Sequence, residues 1–275
     1  PESLSSQPER GYLASRCEQC GTCVQACPTG ALALQGKILQ RDDVFCRNCF
    51  TCVDVCPNGA VQKYGRVMTA AEVVAEISRD EVFFFHSGGG VTLSGGECLQ
   101  QIDFVTAILS ECRQRGIDTA IETSFFTPWA NIERALLLLN TLFVDFKHPD
   151  SSSHLRYTGV ENTLILDNLR RLESSKFAGD VHLRIPLVPG VNDSDETLLQ
   201  MLTSVSELNK IKVIEVLPYH RLGVIAYDWL QKEYRLKEVK PPSKEYIEER
   251  VDFLQNQKIV DIPIRTGGGF YNSSM

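Results

Sequence analysis

The chain is predicted to be α/β: a barrel or incomplete barrel of parallel strands under helices, with a small cysteine-rich module near its N-terminus. Three observations predict this. Eight of the ten cysteines fall in two near copies of one pattern between residues 17 and 56. From residue 69 onward, short β-branched apolar runs alternate with amphipathic helical stretches, the pattern of a parallel sheet covered by helices. Polar and charged residues recur where those apolar runs end, and the C-terminal ends of its strands are where a barrel keeps its chemistry.

In order along the chain, residues 1–16 are polar and read as an irregular linker. Residues 17–64 form the cysteine module and residues 65–275 the barrel. Thr69-Ala70-Ala71-Glu72 is a capping box opening a helix through about Asp80. Val91–Leu93 is a strand, and Leu99–Arg115 a periodic helix that Gly116 ends. Strands follow at Ile117–Glu122, Leu142–Phe146, Val181–Val188 and Ile211–Leu217, with a last one at Ile259–Ile264. Helices are predicted at Pro128–Leu139, Asn162–Ser174, Asp195–Leu208 and Ser243–Asn256, the first with Pro near its start. Five or six βα units suit a barrel better than a flat nucleotide fold.

Composition bounds the function. The 275 residues are 43% hydrophobic and 23% charged, enough for a large domain and a small one. A net charge of −7 argues against a nucleic-acid binder, which would carry a basic face. No apolar run is long enough for a membrane span, and no signal peptide precedes the module. The expected setting is the cytoplasm, without nucleic-acid or membrane partners. Because the chain begins at Pro1 rather than Met, residues upstream are expected to be missing from it.

Cys17, Cys20, Cys23 and Cys27 precede Pro28; Cys46, Cys49, Cys52 and Cys56 precede Pro57. Both runs read C-x2-C-x2-C-x3-C-P, the spacing that holds two [4Fe–4S] clusters, the fourth Cys of each run ligating the other cluster. One cluster then takes Cys17, Cys20, Cys23 and Cys56, and the other Cys27, Cys46, Cys49 and Cys52. Zinc prefers paired C-x2-C knuckles across a longer loop, and disulfides need an oxidising compartment. Thr29-Gly30-Ala31 and Asn58-Gly59-Ala60 supply matching turns. Cys98 and Cys112 fall outside the pattern and read as buried or half-buried structural thiols.

The ends of the predicted strands carry Ser94-Gly95-Gly96-Glu97, Glu122-Thr123-Ser124, Asp145-Phe146-Lys147-His148, and Leu217-Pro218-Tyr219-His220, while the fourth strand contains Arg184. Two glycines allow close backbone approach to a carboxylate, and Glu97 suits an ammonium. Asp145, Lys147 and His220 suit a polar ligand. Together they fit a zwitterion, such as an amino acid carrying another group. Each also has a plainer reading: a Gly-Gly turn, an Asp145–Lys147 surface ion pair, a loop histidine, and an Arg184 bridge to a neighbouring carboxylate.

These segments resemble the glycyl-radical-enzyme activating enzymes of the radical S-adenosylmethionine superfamily, in the branch that carries a two-cluster ferredoxin insert. The likeness runs through Pro1-Glu2-Ser3, both cysteine runs, Ser87–Glu97, Thr119–Thr123, Val144–His148, Arg184–Gly190 and Leu217–His220. It implies a partial (β/α)6 TIM-like barrel lacking its first strand here, with an inserted bacterial-type 2[4Fe–4S] ferredoxin-like domain. It also implies that Gly95, Gly96, Glu97, Asp145, Phe146, Lys147, Arg184 and His220 bind S-adenosylmethionine. Glu122, Thr123, Asp145 and the carbonyl of Phe143 match a monovalent-cation site. The implied reaction reductively cleaves S-adenosylmethionine, and the resulting radical abstracts hydrogen from a backbone glycine of a partner glycyl radical enzyme. Flavodoxin or ferredoxin would be the electron donor.

The family's C-x3-C-x2-C run, ligand of a third [4Fe–4S] cluster, is absent from these residues. The chain therefore reads as an N-terminally truncated activating enzyme, not itself competent for the radical step. Two other functions are compatible with the same residues. One is a radical S-adenosylmethionine enzyme acting on another substrate; the other is a ferredoxin-type electron-transfer protein with an inactive barrel.

Overall fold

A computed structural model describes residues 7–268. Pro1-Glu2-Ser3 and Gly269 lie outside the described residues. The chain divides into two compact units, one of residues 1–67 with 221–237 and the other of residues 68–220 with 238–275.

The first unit has four short strands, β1 (Glu9–Tyr12), β2 (Leu32–Gln35), β3 (Ile38–Arg41) and β4 (Val61–Tyr64). They form two antiparallel pairs, β1 with β4 and β2 with β3. Two one-turn helices, α1 (Thr22–Gln25) and α2 (Thr51–Asp54), sit in equivalent places in the two cysteine runs. The apolar core is small: Tyr12, Leu32, Leu39, Ala60 and Val61, with Cys17, Cys23, Cys27, Cys52 and Cys56 packed against it. The expected linker ends earlier than predicted, because residues 9–12 pair with residues 61–64 along a full strand. The boundary at residue 65 also misses the excursion 221–237. Its helix α10 (Val224–Trp229) returns to this unit, and Trp229 stacks on Tyr64 with ring centroids 4.6 Å apart.

The second unit holds a six-stranded parallel sheet. In spatial order its strands are β10 (Ile264–Thr266), β9 (Ile211–Pro218), β8 (Asp180–Leu187), β7 (Thr141–Asp145), β6 (Asp118–Thr123) and β5 (Gly90–Leu93). The main covering helices are α5 (Ile102–Gln114), α6 (Trp129–Leu136), α8 (Thr163–Glu173), α9 (Asp195–Val205) and α11 (Lys244–Asn256). Burial alternates strictly along β8, and Leu142, Val144, Leu183, Ile185, Ile214 and Val216 are all sealed. That dry face lies in the main core with the helices' Leu109, Ile132, Leu169, Leu202 and Leu254. The opposite face carries Glu122, Phe143, Asp145, His182 and Arg184 at alternate positions, only partly covered. Each strand thus has one apolar face and one face free to hold polar residues.

Most predicted elements agree within two residues or so. The capping box is present: the Glu72 N–H donates to Thr69 Oγ1 at 3.2 Å, and the Thr69 N–H to Glu72 Oε2 at 2.7 Å. That helix, α3 (Ala70–Ile77), stops short of Asp80 and passes through a 3-10 turn into α4 (Glu81–Ser87), which the pattern did not predict. The short helix α7 (Ser151–Thr158) was also missed, its sequence being mostly polar. The last strand is Ile264–Thr266, not Ile259–Ile264, and pairs with Ile214–Val216. Pro263 has no N–H to add to the ladder, and its carbonyl instead accepts from the Ile214 N–H at 2.9 Å.

Candidate functional sites

In the first unit the eight patterned thiols line two cavities. Cys17, Cys20, Cys23 and Cys56 line one, with Tyr12 and Arg16. Cys27, Cys46, Cys49 and Cys52 line the other, with Arg10 and Arg47. These are the two sets expected from the spacing. The loops that present them are built alike: Gln19 and Asn48 both have positive φ, as do Gly21 and Phe50 at the starts of α1 and α2. Glycine meets that demand without strain; Phe50 adopts it under the Nζ of Lys63, 4.6 Å from its ring centroid.

Donors converge on the sulfurs. The hydroxyls of Thr22 and Thr51 donate to Cys20 and Cys49 at 3.3 and 3.4 Å, and the Gln19 and Ala60 N–H groups to Cys17 and Cys56 at 3.4 and 3.2 Å. Those threonine bonds hold the Cys20 and Cys49 thiols below the ordinary cysteine value. At Cys27 burial acts upward, but bonds from the Thr29 backbone and hydroxyl outweigh it. Burial pushes Cys23 and Cys52 up. Among the described residues no three His, Cys, Asp or Glu side chains gather closely enough for a single metal ion. Four thiols around a hollow, with donors on the sulfurs, fit a polynuclear iron–sulfur cluster in each cavity.

In the second unit the sheet register brings the predicted polar residues together. Asp145, Arg184, Glu215 and Arg265 are lateral neighbours across β7, β8, β9 and β10, and Glu122 lies beside Phe143. Arg184 lies 3.8 Å from the Phe143 ring centroid. Its Nη1 donates to Glu122 Oε1 at 2.5 Å and its Nε to Glu215 Oε2 at 3.3 Å. Glu215 Oε1 accepts from Arg265 at 2.7 Å. For both carboxylates burial acts upward. It is outweighed at Glu122 by bonds from Arg184 and Ser94, and at Glu215 by the bond from Arg265 and the charges of His182, Arg184 and Arg265. Lys147 Nζ reaches Asp145 Oδ2 at 3.2 Å. His220 is exposed just beyond β9, and Phe146 is buried in the core.

Gly95 and Gly96 are exposed after β5, Gly95 with φ +128 and open space where a Cβ would lie. Glu97, expected to face an ammonium, is buried, and its carboxylate is occupied within the protein. Oε1 accepts from Thr123 Oγ1 at 2.8 Å and the Leu99 N–H at 3.3 Å, while Oε2 accepts from the Ser124 N–H and hydroxyl at 2.9 and 2.6 Å. Ser94 Oγ donates to Glu122 Oε2 at 2.7 Å. The loop after β5 is thus stapled to the end of β6.

Sequence reading missed five supporting residues. Glu215 and Arg265 complete the charge row. Asn162, Asn168 and Asn192, each almost sealed, donate twice to loop carbonyls: Asn168 to Phe125 and Thr127, Asn162 to His148 and Pro149, Asn192 to Lys147 and Pro186. An Asn among the apolar positions of a helix, as Asn168 is, was the available signal. Of the two unpatterned cysteines, Cys112 is sealed, and burial beside Glu97 pushes the Cys98 thiol up to about 12.

The sequence pattern of the radical SAM superfamily matches residues 45–202, and that of a 4Fe-4S dicluster domain residues 11–71. The chain is 41% identical over 243 residues to the (2S)-3-sulfopropanediol sulfolyase activating enzyme of Bilophila wadsworthia, spanning 87% of this chain and 80% of that one. It is 36% identical to the trans-4-hydroxy-L-proline dehydratase activating enzyme of Clostridioides difficile, spanning 90% and 82%. Among solved structures, a domain of pyruvate-formate lyase-activating enzyme from Bacteroides vulgatus superposes with a TM-score of 0.53 at 28% identity, over 66% of this chain and 99% of that domain.

Proposed function

Because the chain belongs to the glycyl-radical-enzyme activating enzymes of the radical S-adenosylmethionine superfamily, we propose that the full-length protein installs a glycyl radical on a partner enzyme by abstracting a backbone glycine hydrogen. The observation that carries this reading is the placement of the polar row at one end and face of the parallel sheet, in a chain that also holds eight thiols in two cavities. When bound, the clusters supply single electrons, and reductive cleavage of S-adenosylmethionine supplies the hydrogen-abstracting radical.

The chain's own residues bind and orient. The exposed backbone of Gly95 and Gly96 takes the methionyl amine region, with Glu97 positioning that loop through its bonds to Thr123, Ser124 and Leu99. Asp145, Lys147 and His220 hold the remaining polar groups, and Arg184 fixes Glu122 beside them. A monovalent cation at Glu122, Thr123, Asp145 and the Phe143 carbonyl would share its carboxylates with Arg184 and Lys147. Cys17, Cys20, Cys23 and Cys56 would hold one [4Fe–4S] cluster and Cys27, Cys46, Cys49 and Cys52 a second, and a third would serve S-adenosylmethionine in the full-length protein. Flavodoxin or ferredoxin supplies the electrons. Glycine is the target because no side chain shields its Cα.

The test is anaerobic incubation of the full-length protein with reductant, S-adenosylmethionine and candidate glycyl radical enzymes, followed by electron paramagnetic resonance. A (2S)-3-sulfopropanediol sulfolyase is the first candidate, from the relative at 41% identity. A glycyl radical that requires every component is the expected result. Cleavage of S-adenosylmethionine without a radical on any such partner would overturn the reading.

A further inference from the structure

The two thiol cavities differ in charge. Strand alternation turns Arg10 and Tyr12 to the same face of β1, where Tyr12 lines the cavity of Cys17, Cys20, Cys23 and Cys56, and Arg10 that of Cys27, Cys46, Cys49 and Cys52. Arg10 is 9% exposed, and its Nε and Nη1 are buried without a hydrogen-bond partner. Such an arrangement is unusual: a guanidinium stays charged and presents five donors, and a buried charge without an anion is strongly disfavoured. Among the described residues no carboxylate lines that cavity, and the other charged residue there is the exposed Arg47. The sibling cavity has Arg16 and Glu18, which offset each other. Burial and then the charge of Arg41 disfavour the Arg10 cation, and the charges that favour it are those of the thiols Cys52, Cys46 and, from the sibling set, Cys23.

We propose that Arg10 is the built-in counter-cation and N–H donor of the cluster held by Cys27, Cys46, Cys49 and Cys52, and that it sets this cluster's reduction potential above its sibling's. This rests on the assignment of one cluster to each cavity. A [4Fe–4S] cluster with four thiolates is a dianion when oxidised and a trianion when reduced. A fixed cation beside it stabilises the reduced state more, and charge and hydrogen bonding to sulfur are the protein's levers on potential. The Arg10 cluster therefore takes an incoming electron first and holds it longer, which gives the module an internal order.

The experiment is a potentiometric titration of the reconstituted chain, followed by electron paramagnetic resonance, for wild type, Arg10→Gln and Arg10→Lys. Two separated midpoints are expected in wild type. Arg10→Gln lowers the upper one enough to change electron sharing between the clusters at least tenfold, about 59 mV for a one-electron couple. The lower midpoint stays within a small fraction of that, and Arg10→Lys recovers most of the shift. Unchanged midpoints in Arg10→Gln, or equal shifts of both, overturn the proposal. Loss of iron in Arg10→Gln but not Arg10→Lys supports the counter-charge; loss in both overturns it, since the shape of the side chain would then be what the cluster needs. Wild-type iron well below about eight atoms per chain defeats the two-cluster assignment itself, a failure distinct from any behaviour of the Arg10 variants.

Discussion

The two units of this chain are held together by different physics. The barrel unit has sealed strands, five covering helices and a continuous apolar core from Leu99 to Ile264. The ferredoxin-like unit has a core cluster of only five described apolar residues, with cysteines packed against it. Below a certain size burial cannot offset chain entropy, and metal takes over. The same contrast separates their chemistry: thiols and nearby charge in one unit, a polar row on a rigid sheet in the other.

The sharpest way to break the comparison is to remove iron. Structural metal contributes on the order of 10 kcal/mol to folds of this size, so anaerobic chelation is expected to abolish amide-exchange protection across β1 to β4 while β6 to β9 keep theirs. Equal loss in both units would mean that their stabilities are not separate. Next in size is the barrel core. Leu183 is sealed, and Leu183→Ala is expected to cost about 2–5 kcal/mol in chemical denaturation of the second unit, with iron content unchanged.

Glu97→Ala is a smaller break at the site. It leaves the Thr123 hydroxyl and the Ser124 N–H without their acceptor, a loss of about 1–3 kcal/mol. S-adenosylmethionine binding by the full-length enzyme should weaken with it; binding at wild-type affinity would remove Glu97 from the positioning role.

Acid sharpens the comparison further. Glu122 and Glu215 have folded pKa values below the ordinary 4.5. Their contribution is therefore fully present above that value and is lost as pH falls through the depressed folded values. Stability of the barrel unit should drop below about pH 4.5, and less steeply in Glu215→Gln; identical acid limbs would show that the row carries no such linkage. The smallest effect is Thr69→Ala, which removes one half of a capping box for about 0.5–2 kcal/mol, measurable as a modest shift in the thermal midpoint.

Much of this was legible in one dimension. The cysteine runs were readable because ligand spacing is local, and both cavities collect the sets that the spacing implies. The strands of the sheet centre were readable from β-branched runs. Glu215, Arg265 and the three buried asparagines were not, because each acts on a partner more than a dozen residues away. Glu97 was found by motif, but its use was not: which way a carboxylate turns depends on the donors around it, and here Thr123 and Ser124 arrive from another strand.

By itself the sequence determined the α/β alternation, the two cluster motifs and the residues at the strand ends, all of which depend on spacing within a few turns of chain. Only the tertiary structure decided that residues 9–12 and 221–237 belong with the cysteine module. It alone aligned Asp145, Arg184, Glu215 and Arg265. It alone placed Arg10 in one cavity and not the other, because strand pairing and register are non-local and a single residue's shift would turn that side chain to the opposite face.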